Sequence, residues 1–388
     1  MTRSPESPDL RGALAERLAD ALEDELPAAI ELRHRLHADP RLSGHETDTA
    51  EAVVAALGAG AGVEVAMTGR LVELGQAPTV ALRAELDALH LTEATDVPWR
   101  ARGPVMHACG HDVHLAGVVA AARAIRRCGL AVAALLQPRE EGAPSGAHDV
   151  VSSSALSRSG IRSVIAAHVQ PRVAADVMAV TPGLVNASVD EFDIVMRGQV
   201  GHAGYPHTVV DPVLALAATV VNLQQIPARR TDPVFGSVCV VTEFRAGSSA
   251  NVVPAEAHAR GTLRLMRDED RAPMADALTA ITQHTAAAHG CTAEVRIVEC
   301  EPALHNDAGL AATTAQLLAE RGYQVRDDFR SFGADDFAHF CHDTRALMVF
   351  VGVDGPGLHD PRFLPSDDAI RSVAHALLAG YLAALGCA

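Results

Sequence analysis

The nine residues "MHACGHDVH", 106 to 114, set one thiol and three imidazoles side by side along the chain. Side chains of these types ligate borderline divalent metals or carry protons near neutral pH. Cys109 and His111 have no second CxxC or HxxxH pair within finger distance, so the pattern is not a zinc finger and further ligands must come from distant segments. Four apolar runs each lead into an acid or a histidine. "TVALRAELD" (79–87) ends on Glu85 and Asp87, and "VAALLQPREE" (132–141) runs into Glu140 and Glu141. "SVIAAHV" (163–169) delivers His168, and "ALMVFVGVDGPGLH" (346–359) reaches His359 through a glycine-rich loop. The candidate set is therefore Cys109, His111, Glu140, Glu141, His168 and His359, with Asp87 nearby. Thiolate, imidazole and carboxylate together suit a borderline divalent cation, and adjacent glutamates can divide ligation from base catalysis. Each residue alone is more often a satisfied polar group or part of a solvated loop; the joint pattern is what points to hydrolytic metal chemistry.

The elements that must hold these residues can be read from hydrophobic periodicity. The four runs have the length and apolar content of buried strands, and between them lie helical patterns such as "HLAGVVAAARAIRRCG" (114–129), which Gly129 closes as a C-cap. Alternating strands and helices predict an α/β fold, a mostly parallel sheet covered by helices, whose ligands bind beyond the carboxyl ends of the strands. From about 186 to 299 the order changes to strand, helix, strand, strand, helix, strand, the split βαβ arrangement of a ferredoxin-like α+β domain. The predicted division is 1–185 and 300–388 for a discontinuous catalytic domain, with 186–299 inserted as a lid. Residues 1 to 10 read as a frayed terminus.

Composition narrows the function further. A chain of 388 residues exceeds one ordinary core, and its 48% hydrophobic content excludes a disordered chain. No run reads as long enough to span a bilayer, and Met1 to Asp20 lacks a signal-peptide core, so the expected location is the cytoplasm. Seven scattered cysteines suit reduced thiols better than a disulfide framework. A formal charge of -16 disfavours nucleic acid and anionic membranes as partners. All 32 basic residues are arginine, which excludes lysine Schiff-base chemistry and a P-loop lysine.

The segments "LHADPRLSGHETDTA", "RAELDAL", "MHACGHDVH", "LLQPREEGAPSGA", "AAHVQP", "GHAGYPH", "NVVPAEAHARGTLR", "GADDFAHF" and "GLHDPRF" occur in the order found in the M20 metallopeptidase family. They resemble its aminoacylase and amidohydrolase branch, which includes hippurate hydrolases, N-acyl-amino-acid deacetylases and auxin-conjugate hydrolases. The resemblance covers nearly the whole chain. It implies two divalent metals per subunit, zinc or manganese with cobalt or nickel as alternatives, and a homodimer formed through the lid. Matched motif by motif, the implied ligands are Cys109, His111, Glu141, His168 and His359. Glu140 would be the general base, Asp87 would orient the metal cluster, and His202 would stabilise the oxyanion. Asn251 and Arg264 would hold the substrate carboxylate. Glu85, Arg41, Arg139, "APSGAHDVV" and "GADDF" depart from the branch's usual residues; none removes a ligand, and they bear on the acyl pocket.

The implied reaction is hydrolysis of an N-acyl amino acid or similar small amide by metal-activated water, whose pKa falls from 15.7 to roughly 7 on coordination. A base at Glu140 would pass the proton to the leaving amine, a donor at His202 would meet the oxyanion, and the planar fork of Arg264 matches a carboxylate. A dipeptidase or N-carbamoyl-amino-acid hydrolase would use the same site. Two readings from other classes are a cysteine nucleophile at Cys109 with His111, which leaves Glu140 and Glu141 unexplained, and a non-catalytic metal-binding protein on the same fold. Asp112 and His114 are expected to orient the ligand segment, and Trp99, Tyr205 and Phe332 fall near the motifs as candidate pocket walls.

Overall fold

The apolar runs lie at the centre of an eight-stranded sheet in the computed structural model, which describes residues 8–386. Of the expected frayed segment, residues 1–7 lie outside the described residues, and 8–10 open the helix Pro8–Ala38. The chain divides into two compact units. The first runs to Gly183 and resumes with His305–Phe329 and from Asp336 onward; the second is Leu184–Leu304 with Arg330–Asp335.

In the first unit the central strands follow the order Val132–Gln137, Val80–Glu85, Ser163–Gln170, Arg345–Gly352, and all four are parallel. Their carboxyl ends therefore share one edge. Gly69–Leu74 pairs antiparallel on one side and Val177–Ala179 on the other, so the sheet is mixed with a parallel centre. Every residue of Val80–Glu85, Val132–Gln137 and Ser163–Gln170 is buried. A parallel sheet covered on both faces demands this, which is why these runs read as continuously apolar.

The helix expected over 114–129 spans His111–Arg127. Gly110 sets the earlier start: it holds φ +85, and a Cβ there would meet Val169 Cγ2 at 2.4 Å. The ligand segment is therefore the entry to a helix. Asp112 in the first turn and Arg126 and Arg127 in the last complement the helix dipole. At the other end the Gly129 amide donates to the Arg126 carbonyl (2.9 Å) and the Leu130 amide to that of Ile125 (3.2 Å), a Schellman motif with Gly129 at φ +79.

This helix packs on Pro8–Ala38 and on Asp368–Gly386. The latter corrects one sequence expectation, because it is long and apolar enough to cross a membrane by length and composition alone. Its apolar window is 78% buried inside the protein, against the sheet and neighbouring helices, so the hydropathy is that of a core helix.

The second unit has the strand and helix order Ser188–Arg197, Pro212–Leu223, Ser237–Ala246, Glu256–Leu265, Arg271–Ala288, Thr292–Glu299. Its sheet runs Ser237–Ala246, Glu256–Leu265, Ser188–Arg197, Thr292–Glu299, antiparallel throughout, which is ferredoxin-like. Alternate residues Phe192, Ile194 and Met196 bury one sheet face in a core with Leu216 and Leu278 from the two helices.

Candidate metal centre

Cys109 stands just before the helix start, buried, with Sγ 3.5 Å from His168 Nε2. Cys109, His111 and Glu141 each offer a ligand atom within 4.8 Å of the others. His359 Nε2 lies 3.1 Å from Glu141 Oε1, and Glu140 Oε2 lies 3.7 Å from His111 Nε2. The parallel centre of the sheet thus gathers Cys109, His111, Glu140, Glu141, His168, His359 and Asp87 in one place. His359 is reached at φ +65, uncommon for a residue with a β-carbon, and its amide is fixed by donating to the Ala108 carbonyl at 2.9 Å.

The other ring nitrogens decide which histidines are free to ligate. His111 Nδ1 donates to the Asp87 carbonyl at 2.8 Å, which makes the buried Nε2, without a hydrogen-bond partner among the described residues, the nitrogen available to a metal. His168 Nδ1 donates to the Val169 carbonyl at 2.7 Å, which turns Nε2 toward the Cys109 sulfur. In His114 both nitrogens are committed: Nε2 accepts the Val169 amide at 2.9 Å and Nδ1 donates to Glu85 at 2.8 Å. His114 therefore braces the site, and Glu85 does the same through His114 and a buried ion pair with Arg83. Orientation of a ligating imidazole through its second nitrogen is the usual companion of metal binding.

Asp87 Oδ2 accepts the Ser43 hydroxyl (2.7 Å) and the Glu141 amide (2.9 Å), while Oδ1 is buried and lacks a hydrogen-bond partner among the described residues. Burial works against its charge, but the His111 imidazole, with Nδ1 3.6 Å from Oδ1, and the bonds from Ser43 and Glu141 hold its pKa below the ordinary carboxylate value. The Cys109 thiol is pushed well above its usual value, first by burial and then by Glu141, Glu140 and Glu85. His111 is raised to about 10, because Asp87 and the surrounding carboxylates outweigh its burial. The pocket is strongly anionic, with a soft donor, imidazole nitrogens available to a cation and two buried polar atoms unpartnered among the described residues, and these residues fit divalent metal.

The same features argue against a cysteine nucleophile. His168, the imidazole nearest the sulfur, is pushed down to about 4, first by burial, so it stays neutral. The Cys109 thiol itself, raised by burial and three glutamates, is not held as the thiolate that a nucleophile requires. The six described cysteines are all free thiols, as a reduced chain requires.

Three further candidates belong to the second unit. His202 is exposed, and its Nδ1 accepts the Gly204 amide at 3.0 Å, which leaves the proton on an outward Nε2. Asn251 is its neighbour: the strand Gly201–His202 pairs with Val252–Val253, and the Ala203 amide donates to the Asn251 carbonyl at 3.0 Å. Arg264 sits apart on the larger sheet, half-buried, donating to the Phe332 carbonyl at 2.7 Å. Of the aromatic candidates, Tyr205 packs beside His202 at 5.3 Å, and Trp99 stacks on His34 at 4.1 Å.

Several supporting residues carried no role in the sequence. Arg83 bonds Glu85, Gln137 and Asp336 beneath the strand ends, and Asp336 also accepts from Ser145 Oγ and the Ala147 amide. Asp112 is held by Arg33 (3.1 Å) and His37 (3.0 Å), and His37 by Glu93 (3.1 Å). Buried arginines and histidines were the available signal, and only tertiary structure says which acid each one meets.

The family model described as "Peptidase family M20/M25/M40" matches residues 81–380. The chain is 31% identical over 354 residues to the N-acetylcysteine deacetylase of Bacillus subtilis, across 88% of this chain and 92% of that protein. It is 32% identical over 306 residues to the N-acetyldiaminopimelate deacetylase of Shouchella clausii, across 77% and 81%. Among solved structures, a dinuclear metal binding peptidase from the M20 family of Bacillus subtilis superposes with a TM-score of 0.81 at 27% identity, across 93% and 98%. With a metal-competent cluster at the sheet edge and a match spanning most of its length, the chain belongs to peptidase family M20/M25/M40.

Proposed function

We propose that the protein is a metal-dependent amidohydrolase that cleaves the amide bond of an N-acyl amino acid or a similar small amide. The observation that carries this reading is the different surroundings of two adjacent glutamates. Glu141 is tied to His359 and lies with Cys109 and His111, whereas Glu140 faces the free Nε2 edge of His111. Relatives named as deacetylases of N-acetylcysteine and N-acetyldiaminopimelate support an acyl-amide substrate.

Cys109, His111, Glu141, His168 and His359 would hold two divalent metals. When bound, such a pair polarises a carbonyl and makes water nucleophilic at neutral pH. Zinc suits the thiolate and manganese the carboxylates, with cobalt or nickel as alternatives. Asp87 orients His111 and the Glu141 backbone. Glu140 takes the proton from water and delivers it to the leaving amine. The outward Nε2–H of His202 donates to the oxyanion, and Asn251 and Arg264 bind the substrate carboxylate. The second unit serves as the lid and homodimer contact, and the enzyme works in the cytoplasm on small molecules, without nucleic acid or membrane partners.

The deciding experiment separates the two glutamates under a substrate screen of acetyl, benzoyl, indolyl-acyl, carbamoyl and dipeptide amides. Glu140→Gln is expected to keep its metal and lose about 10²-fold or more in turnover. Glu141→Gln is expected to lose metal. Full turnover in Glu140→Gln, or the two effects reversed, would reject the assignment.

A further inference from the structure

The loop that carries Glu140 leaves its strand through an unusual residue. Arg139 holds φ +51, a left-handed backbone that residues with a β-carbon seldom adopt, and so something must hold it there. Its amide donates to Glu46 Oε1 at 2.9 Å, and its carbonyl accepts the Gly146 amide at 3.1 Å. Its guanidinium pairs with Asp149. Beyond Glu140 the next amide, that of Glu141, is held by Asp87. Glu140 is therefore suspended between two pinned peptides, one fixed by Glu46 and one by Asp87.

Glu46 is fully buried. Among the described residues its side chain has two hydrogen-bond partners, the Arg139 amide on Oε1 and the Thr68 hydroxyl on Oε2 at 2.7 Å. It occupies the N-cap position of the helix Thr47–Leu57, where an acid ordinarily accepts from the first helical amides, yet it makes no such bond. Burying a carboxylate is costly unless its oxygens are satisfied. Here both are satisfied by groups outside the helix it precedes. The same short segment reaches the site a second way, since Ser43 bonds Asp87 and the Arg41 carbonyl accepts the Ala88 amide at 2.8 Å.

We infer that Glu46 is a positioning residue for the hydrolytic reaction: it holds Arg139 in the left-handed conformation that presents the Glu140 carboxylate to the metal centre. This rests on Glu140 acting as the base, and Glu46 acts only through it. Placement errors of an ångström at a reacting group cost up to about 10²-fold in rate without comparable loss of binding. The effect therefore belongs in kcat.

The test measures kcat, KM, bound metal and thermal midpoint for the full-length, metal-loaded protein with the best substrate from the screen. Glu46→Ala is expected to lower kcat by about 10-fold or more, with KM within about twofold and metal content unchanged. Glu46→Gln, which keeps an acceptor for the Arg139 amide, is expected to recover most of that loss. In the Glu140→Gln background, Glu46→Ala is expected to add nothing, because a residue acting through the base has nothing left to position. A loss that adds in full to that of Glu140→Gln, a loss confined to KM or to bound metal, or an unchanged kcat would each overturn the inference. If Glu46→Ala does not fold, Thr68→Val decides the matter. It removes the bond on Oε2, and is expected to show a smaller kcat loss with the same non-additivity; an unchanged kcat there also overturns the proposal. Failure of the base assignment is seen separately, as full turnover in Glu140→Gln alone.

Discussion

Cys109 is held in a setting that disfavours the thiolate: burial and three glutamates push the thiol upward. A bound divalent cation reverses that balance, so sulfur and metal should be lost together. Cys109→Ala is expected to lower metal affinity by at least about 10²-fold, beyond what loss of an outer residue costs, with activity falling in step. Metal analysis beside turnover checks this, and full metal content with full turnover would remove Cys109 from the ligand set. At this scale the ligand-type residues were legible because Glu140, Glu141 and His168 fall at or near strand ends and Cys109 and His111 share one short motif at a helix start. Glu46, Ser43 and Arg83 were not legible. They act on backbone amides or on other buried side chains, and no spacing in the sequence says which amide an isolated acid or hydroxyl will meet.

The central strands could be read from the chain because four parallel strands buried on both faces leave four apolar runs. The start of the helix His111–Arg127 could not, because it depends on Gly110 fitting against Val169 from another strand. That helix start is anchored to Pro8–Ala38 by a buried cluster, Arg33 and His37 on Asp112, with Glu93 on the far side of His37. Burial lowers the His37 pKa, but Asp112 and Glu93 outweigh it and bring it to about 9. A histidine raised in the folded state contributes stability that is fully present below its unfolded value of about 6.5 and is lost as pH climbs through about 9. The wild-type protein should therefore lose stability between about pH 6.5 and 9, by an amount on the order of a few kcal/mol. His37→Gln should be less stable at pH 6 and flatter across that window. Denaturant midpoints measured at intervals from pH 6 to 9.5 check both. Parallel curves for the two proteins would show that His37 carries none of the slope.

Seen whole, the chain separates its chemistry between two compact units: the metal-competent cluster is in the first, and His202, Asn251 and Arg264 are in the second. The βαββαβ order made the ferredoxin-like unit readable in advance, because its strands alternate buried and exposed residues while those of the first unit do not. Arg330–Asp335 was not assigned to it, since six residues leave no periodic signal and join it through contacts such as that of Phe332 with Arg264. If His202 supplies the oxyanion donor, its Nε2–H is already selected by the Gly204 amide on Nδ1. His202→Ala should then lower turnover by about 10²-fold or more, as loss of one such donor does, with metal content intact. The resemblance to the aminoacylase branch implies that the donor serves the neighbouring subunit's site in a lid-mediated dimer. Inactive Glu140→Gln and inactive His202→Ala subunits, exchanged by dilution and reassembly, should therefore regain turnover, because a mixed dimer brings an intact Glu140 and an intact His202 to one of its two sites. Subunit exchange is followed independently by a mass or affinity tag. Exchanged dimers without recovered turnover would place His202 in its own subunit's site or outside the reaction, and a fully active His202→Ala protein would remove it from the mechanism.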